Sequence, residues 1–238
     1  MKNLSKILKK IGINKNDYLI IHSSFRRLGM NGINPKNFLN SVESYLKDGT
    51  LILPTFTYKS VKKSKKFNYF KTKSEVGVLS ELFRLKYLNQ RSLHPTHSIV
   101  ASGRDYEKII NFKEKKGQSY LCGPGTVWEF LLKKNAKVLL IDTLIGYCTL
   151  VHYFEEFYNP KRFLEKKRTK FLCLNQNNKK IRFNLKNHLP GQRSFKNIYF
   201  ELLKQKYIKQ TYFKEVSFTS FSGSNLRKVA NKLFKKDK

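Results

Sequence analysis

Short apolar runs alternate with segments of helical period along most of the chain. Tyr18, Leu19, Ile20 and Ile21 form a continuous apolar run that reads as a buried strand, and a polar loop with Gly29 and Gly32 follows it. Asn34 then precedes Pro35. A capping side chain before a proline at the first helical position predicts a helix to about Leu46, ended by Asp48 and Gly49. Residues 50–57 read as the next buried strand, so the first part of the chain is a strand, crossover, strand unit of the kind that builds parallel sheet. Over 78–88, Val78, Leu79, Leu82, Phe83 and Leu85 recur at helical spacing and are expected to face that sheet.

Further strands are expected at 97–101 and 137–141, and Thr126 with Glu129 has the spacing of a capping box at the start of the helix between them. A helix capped by Thr149 should end at Asn159, because a proline disfavours helix in the residue before it. The tail differs in pattern. Residues 169–175 and 179–185 flank an Asn-rich turn as a hairpin, 195–206 read as a helix, 216–221 alternate as a strand, and Ser224 is placed to cap a final basic helix. The fold class implied is α/β: a single-domain layered sandwich over 1–238, its central mixed, largely parallel sheet flanked by helices, with a C-terminal β-hairpin and helix region.

Composition narrows the function. With 238 residues, 40% of them hydrophobic, the chain can build one sizeable core, and disorder is excluded as its main state. No apolar run approaches the ~20 residues of a membrane-spanning helix, and no apolar signal core follows the first basic residues, so a cytoplasmic location without membrane insertion is expected. Lys and Arg number 49 against 16 Asp and Glu, a net +33. Only 10 of the 49 are Arg and Asn occurs 20 times, a Lys/Asn-heavy usage unlike a phosphate-reading surface, which favours the planar fork of Arg. The charge therefore argues for anionic small ligands over polycations, and against a dedicated nucleic-acid surface. Cys122, Cys148 and Cys173 are odd in number and form no CxxC pair, which leaves them as reduced thiols without a disulfide framework or cysteine zinc site.

Five histidines are candidates for chemistry: His22, His94, His97, His152 and His188. His22 ends the first strand, where α/β sheets place ligand-binding groups, or is simply a polar strand end. His94 and His97 have the HxxH spacing of a metal pair, yet Pro95 imposes an extended turn and no third ligand lies at suitable spacing. Thr149, His152 and Glu155 give the sharpest local signal. If Thr149 caps its helix, His152 falls in the first turn and Glu155 one turn on along the same face, the arrangement of a general base with its orienting carboxylate. A stabilising acid near a helix start and a structural histidine would look the same. Cys148, next to this turn, invites a Cys–His nucleophile, which direct transfer to an acceptor does not need.

Several segments taken in order carry a resemblance: His22-Ser23-Ser24-Phe25-Arg26-Arg27-Leu28-Gly29, residues 49–57, residues 91–103 beginning Arg91-Ser92-Leu93-His94-Pro95, Gly123-Pro124-Gly125-Thr126, and residues 137–155. From about residue 5 to 156, and more loosely to the C-terminus, the sequence resembles the aminoglycoside 3-N-acetyltransferase family. The resemblance implies an acetyl-CoA-dependent acyltransferase without a metal, on an α/β fold distinct from the GNAT acetyltransferases. It implies His152 as the base, Glu155 as its partner and Thr149 in the same catalytic turn. Coenzyme A would lie against Ser23, Ser24, Arg26, Leu28, Gly29, Thr55, Thr57, Arg91 and Ser92, with Arg26, Arg27 and Arg91 able to meet its phosphates. His97 and Tyr147 would line the acceptor's place.

Resistance enzymes of the family typically carry an acidic or amide residue in the loop that here reads Ile145-Gly146-Tyr147-Cys148. With the net charge, this favours an anionic, nucleotide-linked amino sugar as acceptor in surface-glycan synthesis. The alternatives are a true aminoglycoside-resistance acetyltransferase and, from another class, an inactive basic nucleic-acid binder with patches at 59–66 and 227–238. A monomer or homodimer binding an amino sugar and acyl-CoA is the expected assembly.

Overall fold

The computed structural model describes residues 3–112, 120–191 and 195–236; the first two residues and the last two of the basic tail, which the charge reading included, lie outside it. The chain opens with α1 (Leu4–Lys10), β1 (Tyr18–Ser23), α2 (Arg26–Met30), α3 (Pro35–Tyr45) and β2 (Thr50–Pro54). Next come α4 (Tyr58–Ser64), β3 (Lys66–Asn68), α5 (Val78–Lys86), β4 (Ile99–Gly103), α6 (Tyr106–Ile110), α7 (Val127–Lys133) and β5 (Lys137–Ile141). A 3-10 turn at Ile145–Tyr147 leads into α8 (Thr149–Tyr158) and α9 (Pro160–Phe163). The rest comprises β6 (Thr169–Leu174), β7 (Lys180–Leu185), α10 (Lys196–Lys204), β8 (Lys209–Phe213), β9 (Val216–Ser222) and α11 (Gly223–Lys236).

The central sheet has the order β4-β2-β1-β5-β9-β8. Its middle is parallel, with β1 between β2 and β5, whereas β4, β9 and β8 join antiparallel. Parallel pairing is thus confined to the three central strands of a mixed sheet. Because these strands are covered on both faces, successive residues feed different cores, which is why they read as continuous apolar runs. Ile20, Ile52, Val138 and Leu140 pack with Trp128 of α7, Phe154 of α8 and Leu226 of α11. Leu19, Ile21, Leu51, Leu53, Leu139 and Ile141 turn the other way, against Leu8 of α1, Phe38 of α3 and Phe83 of α5. The result is a three-layer α/β/α sandwich. The hairpin β6–β7 builds a separate three-stranded sheet, with β3 parallel to β6. Among the described residues no helix is long and apolar enough to cross a membrane.

Several local expectations are corrected. Asn34 does cap α3, accepting from the amides of Lys36 and Asn37. Thr126, however, turns its hydroxyl back to the Gly123 carbonyl, and Glu129 takes the Gly125 amide, so the capping box is not formed. Thr149 is the first helical residue and Cys148 its N-cap, while Ser222, not Ser224, accepts the Asn225 amide at the start of α11. On α5, Leu79 and Phe83 are buried as expected, but Val78 and Leu85 are exposed and Ser80 and Arg84 face inward instead. The strand expected at 97–101 begins two residues later, because Thr96, His97 and Ser98 belong to a loop that lines the site. The polar loop expected after β1 holds the short helix α2, and α1, α4, β3, α6, α9 and β8 were not foreseen.

Candidate active site

The carboxyl ends of β1, β2 and β5 open onto one cleft of about 1060 Å³, the edge at which α/β sheets bind ligands. His22 and Ser23 come from β1, Pro54 and Phe56 from the end of β2, Asp142 and Thr143 from the turn after β5, and Thr149 and His152 from α8. Glu155 lies one turn beyond His152 on α8, and its Oε2 is 2.5 Å from His152 Nδ1. The carboxylate is only 1% exposed and the imidazole 20%, so the pair has an anchored inner end and an outer end in the cleft.

All five histidines converge here. His22, His97, His152 and His188 line the cleft, and His94 meets the His97 ring edge-on at 5.7 Å. Burial, reinforced by the nearby His152, lowers His22 to about 3, and its Nε2 is buried without a hydrogen-bond partner. Burial alone takes His94 to about 3. His97 is held well below its ordinary value by burial and then by the neighbouring imidazoles, His188 first among them. These three are neutral at physiological pH. His94 Nδ1 accepts the backbone amides of Thr96 and His97, so the HxxH spacing serves a loop turn.

A second imidazole–carboxylate pair stands beside the first. Glu156, wholly buried, accepts the amides of Leu121, Cys122 and Gly123 and sits 2.6 Å from His188 Nε2. Cys122, Glu156 and His188 each bring a possible ligand atom within 4.8 Å of the others, but Glu156 is already engaged by these four partners. Gly123 is required for this approach. A Cβ there would lie 2.8 Å from Glu156 Cβ and 3.0 Å from Oε2, and Gly123→Ala should destabilise the fold by about 1–3 kcal/mol, the cost of overpacking a closed site. Urea unfolding checks this; an unchanged midpoint contradicts it.

The nine residues expected against coenzyme A separate into two groups. Ser23, Ser24 and Arg26 line the cleft. The others do not, and for identifiable reasons. Arg91 is 2% exposed, its guanidinium donating to the carbonyls of Tyr69, Thr72 and Thr55 and to Ser98 Oγ and resting over the Phe67 ring. It is a structural clamp unavailable to a phosphate. Thr57 donates to the Pro95 carbonyl and Thr55 to that of Ser98, both fully buried, while Ser92 accepts the Ile99 amide. Leu28 packs in the core and Gly29 is exposed on α2 outside the cleft. Arg27 is likewise spent, its guanidinium gripping both oxygens of Asp142. Of the acceptor residues, His97 and the exposed Tyr147 both line the cleft. Burial pushes the Cys148 thiol up to about 12 despite the Leu150 and Val151 amides, which removes it as a nucleophile.

The sequence matches the aminoglycoside 3-N-acetyltransferase family over residues 20–235. The chain belongs to that family. Membership extends through the C-terminal part, where the sequence resemblance was loose, and makes the protein an N-acetyltransferase by family. Solved structures of the same fold include AAC-IIIb in a binary complex with CoASH, at 17% identity and a TM-score of 0.80 over 99% of this chain and 96% of that one. AAC-VIa bound to sisomicin superposes with a TM-score of 0.80 at 16% identity over 99% and 97% of the two chains. YokD of Bacillus subtilis gives 0.77 at 20% over 98% and 92%. No curated protein sequence matches it.

Site residues that sequence reasoning missed include Glu156, Asp142 and Glu75; His188 was a candidate, but its pairing with Glu156 was not visible. The one local signal was a second acid directly after Glu155 in an otherwise apolar helix.

Proposed function

We propose that this family member transfers an acetyl group from acetyl-CoA directly to the primary amine of an amino sugar. The observation that carries this reading is the His152–Glu155 pair, anchored at its carboxylate and open to the cleft at its imidazole. Glu155 fixes the tautomer and offsets the charge of the imidazolium, so that the opposite ring nitrogen takes the amine proton as nitrogen attacks the thioester carbonyl. The thiolate leaves and is protonated in turn. Thr149, at the first position of α8 and on the cleft wall, is placed to donate to the tetrahedral oxyanion; Ser98, whose hydroxyl serves Thr55 and Arg91, is not. Ser23, Ser24 and Arg26 are the groups offered to coenzyme A; Lys62, also on the cleft wall, is paired with Glu165 at 2.7 Å.

The acceptor follows from the charges. Asp142 is neutralised by Arg27, Glu75 accepts the Lys59 and Ser60 amides at the start of α4, and Glu155 and Glu156 are held behind histidines. Of the cleft-lining carboxylates, Asp142 is thus paired with a cation and Glu75 keeps its charge but is tied to α4, a small local acidity to gather a polycation against a net +33. A nucleotide-linked amino sugar should therefore exceed sisomicin in kcat/KM at low salt, and its advantage should shrink as the Debye length falls from about 30 Å to about 3 Å. Initial rates with both acceptors across that range test the point. Sisomicin preferred at every ionic strength would move the resistance reading into first place.

A further inference from the structure

An amino-sugar amine arrives largely as the ammonium and must give up two protons to become an amide, one before attack and one as the C–N bond forms. A single base accounts for one. We propose that the His188–Glu156 pair takes the first of these protons and holds it while His152 takes the second.

The geometry is that of two matched units. Glu155 and Glu156 are consecutive on α8, each buried to 1% exposure or less, and each reaches one imidazole, at 2.5 Å and 2.6 Å. The two rings are 5.1 Å apart, centroid to centroid, and both line the cleft. His188 bonds Glu156 through Nε2, which leaves Nδ1 to receive a proton, and its side chain is 17% exposed. Glu156 is fixed beforehand by three backbone amides, and the His188 backbone by an antiparallel bridge to Leu164.

The groups facing His188 are Glu156 and His152 from α8 and His97 from the loop before β4, while its neighbour Asn187 turns its amide to Glu165 and Thr169. His22, His94 and His97 are kept neutral by burial, whereas His152 and His188 each stand against a buried carboxylate. Two imidazolium charges so close are tolerable because each faces its own carboxylate. The balance closes: the ammonium proton passes to His188 Nδ1, the amine attacks as its second proton moves to His152, the C–S bond breaks, His152 returns its proton to the thiolate, and His188 releases its own to solvent.

This rests on the acyl-transfer reading, and the test separates the two. His188→Gln keeps a donor for Glu156 but cannot accept a proton; His188→Asn serves if the first variant fails to fold. Wild-type kcat/KM for a nucleotide-linked amino sugar, or for sisomicin if that is the better acceptor, should stay level below the amine's own pKa. The variant should lose about tenfold for each pH unit below that pKa and recover above it, with KM for acetyl-CoA unchanged. An equal loss at every pH marks a purely structural role and overturns the proposal, as does a variant with the wild-type profile. A wild type that acetylates neither amine overturns the acyl-transfer reading and this proposal with it.

Discussion

His152→Asn should fold normally and lower kcat by roughly 10²–10⁴, the range for removal of a positioned general base. The side chain is one-fifth exposed at the cleft wall, so little core packing is lost, and the asparagine amide still offers a donor toward Glu155. Alanine is the harsher choice because it leaves a carboxylate of 1% exposure without its imidazole. Glu155→Gln should cost less than loss of the imidazole, since the ring keeps a hydrogen-bond partner and loses the charge that offsets its protonated form. Steady-state kinetics with circular dichroism decide the matter. A near-wild-type turnover for His152→Asn at neutral pH would place the base elsewhere.

Arg91→Met should act through stability. Its guanidinium holds two carbonyls, Tyr69 and Thr72, whose loss of a donor costs about 1–3 kcal/mol each, while Thr55 keeps the Ser98 hydroxyl. A total of about 2–6 kcal/mol lowers Tm by roughly 4–24 °C in a chain of this length. The remaining folded protein should keep its KM for acetyl-CoA. A raised KM at unchanged Tm would instead make Arg91 a phosphate ligand, as the sequence alone suggested.

That reversal shows what the sequence could and could not convey. The strands β1, β2 and β5 were legible because burial on both faces leaves an apolar run with no polar alternation, and α3 because Asn34 and Pro35 mark its start. His152 and Glu155 were legible because both partners lie on one helical turn. Arg91 was misread because an arginine beside a strand looks the same in sequence whether it faces solvent or is enclosed; only the meeting of Tyr69, Thr72, Thr55 and Ser98 around it decides. The His188–Glu156 pair was hidden by 32 residues of separation, and the pairing of β3 with β6 by a still longer one. β8 escaped because an edge strand is largely exposed, so its pattern lacks a buried face.

The most direct test of the central claim is the release of free thiol from acetyl-CoA, followed with mass detection of the acetylated amine, for wild type and His152→Asn with a nucleotide-linked amino sugar and with sisomicin. Thiol and acetylated amine appearing in equal amounts with wild type, and slowed at least a hundredfold in His152→Asn, is the predicted result. No thiol above the enzyme-free rate with either amine, or equal rates for the two proteins, would contradict it.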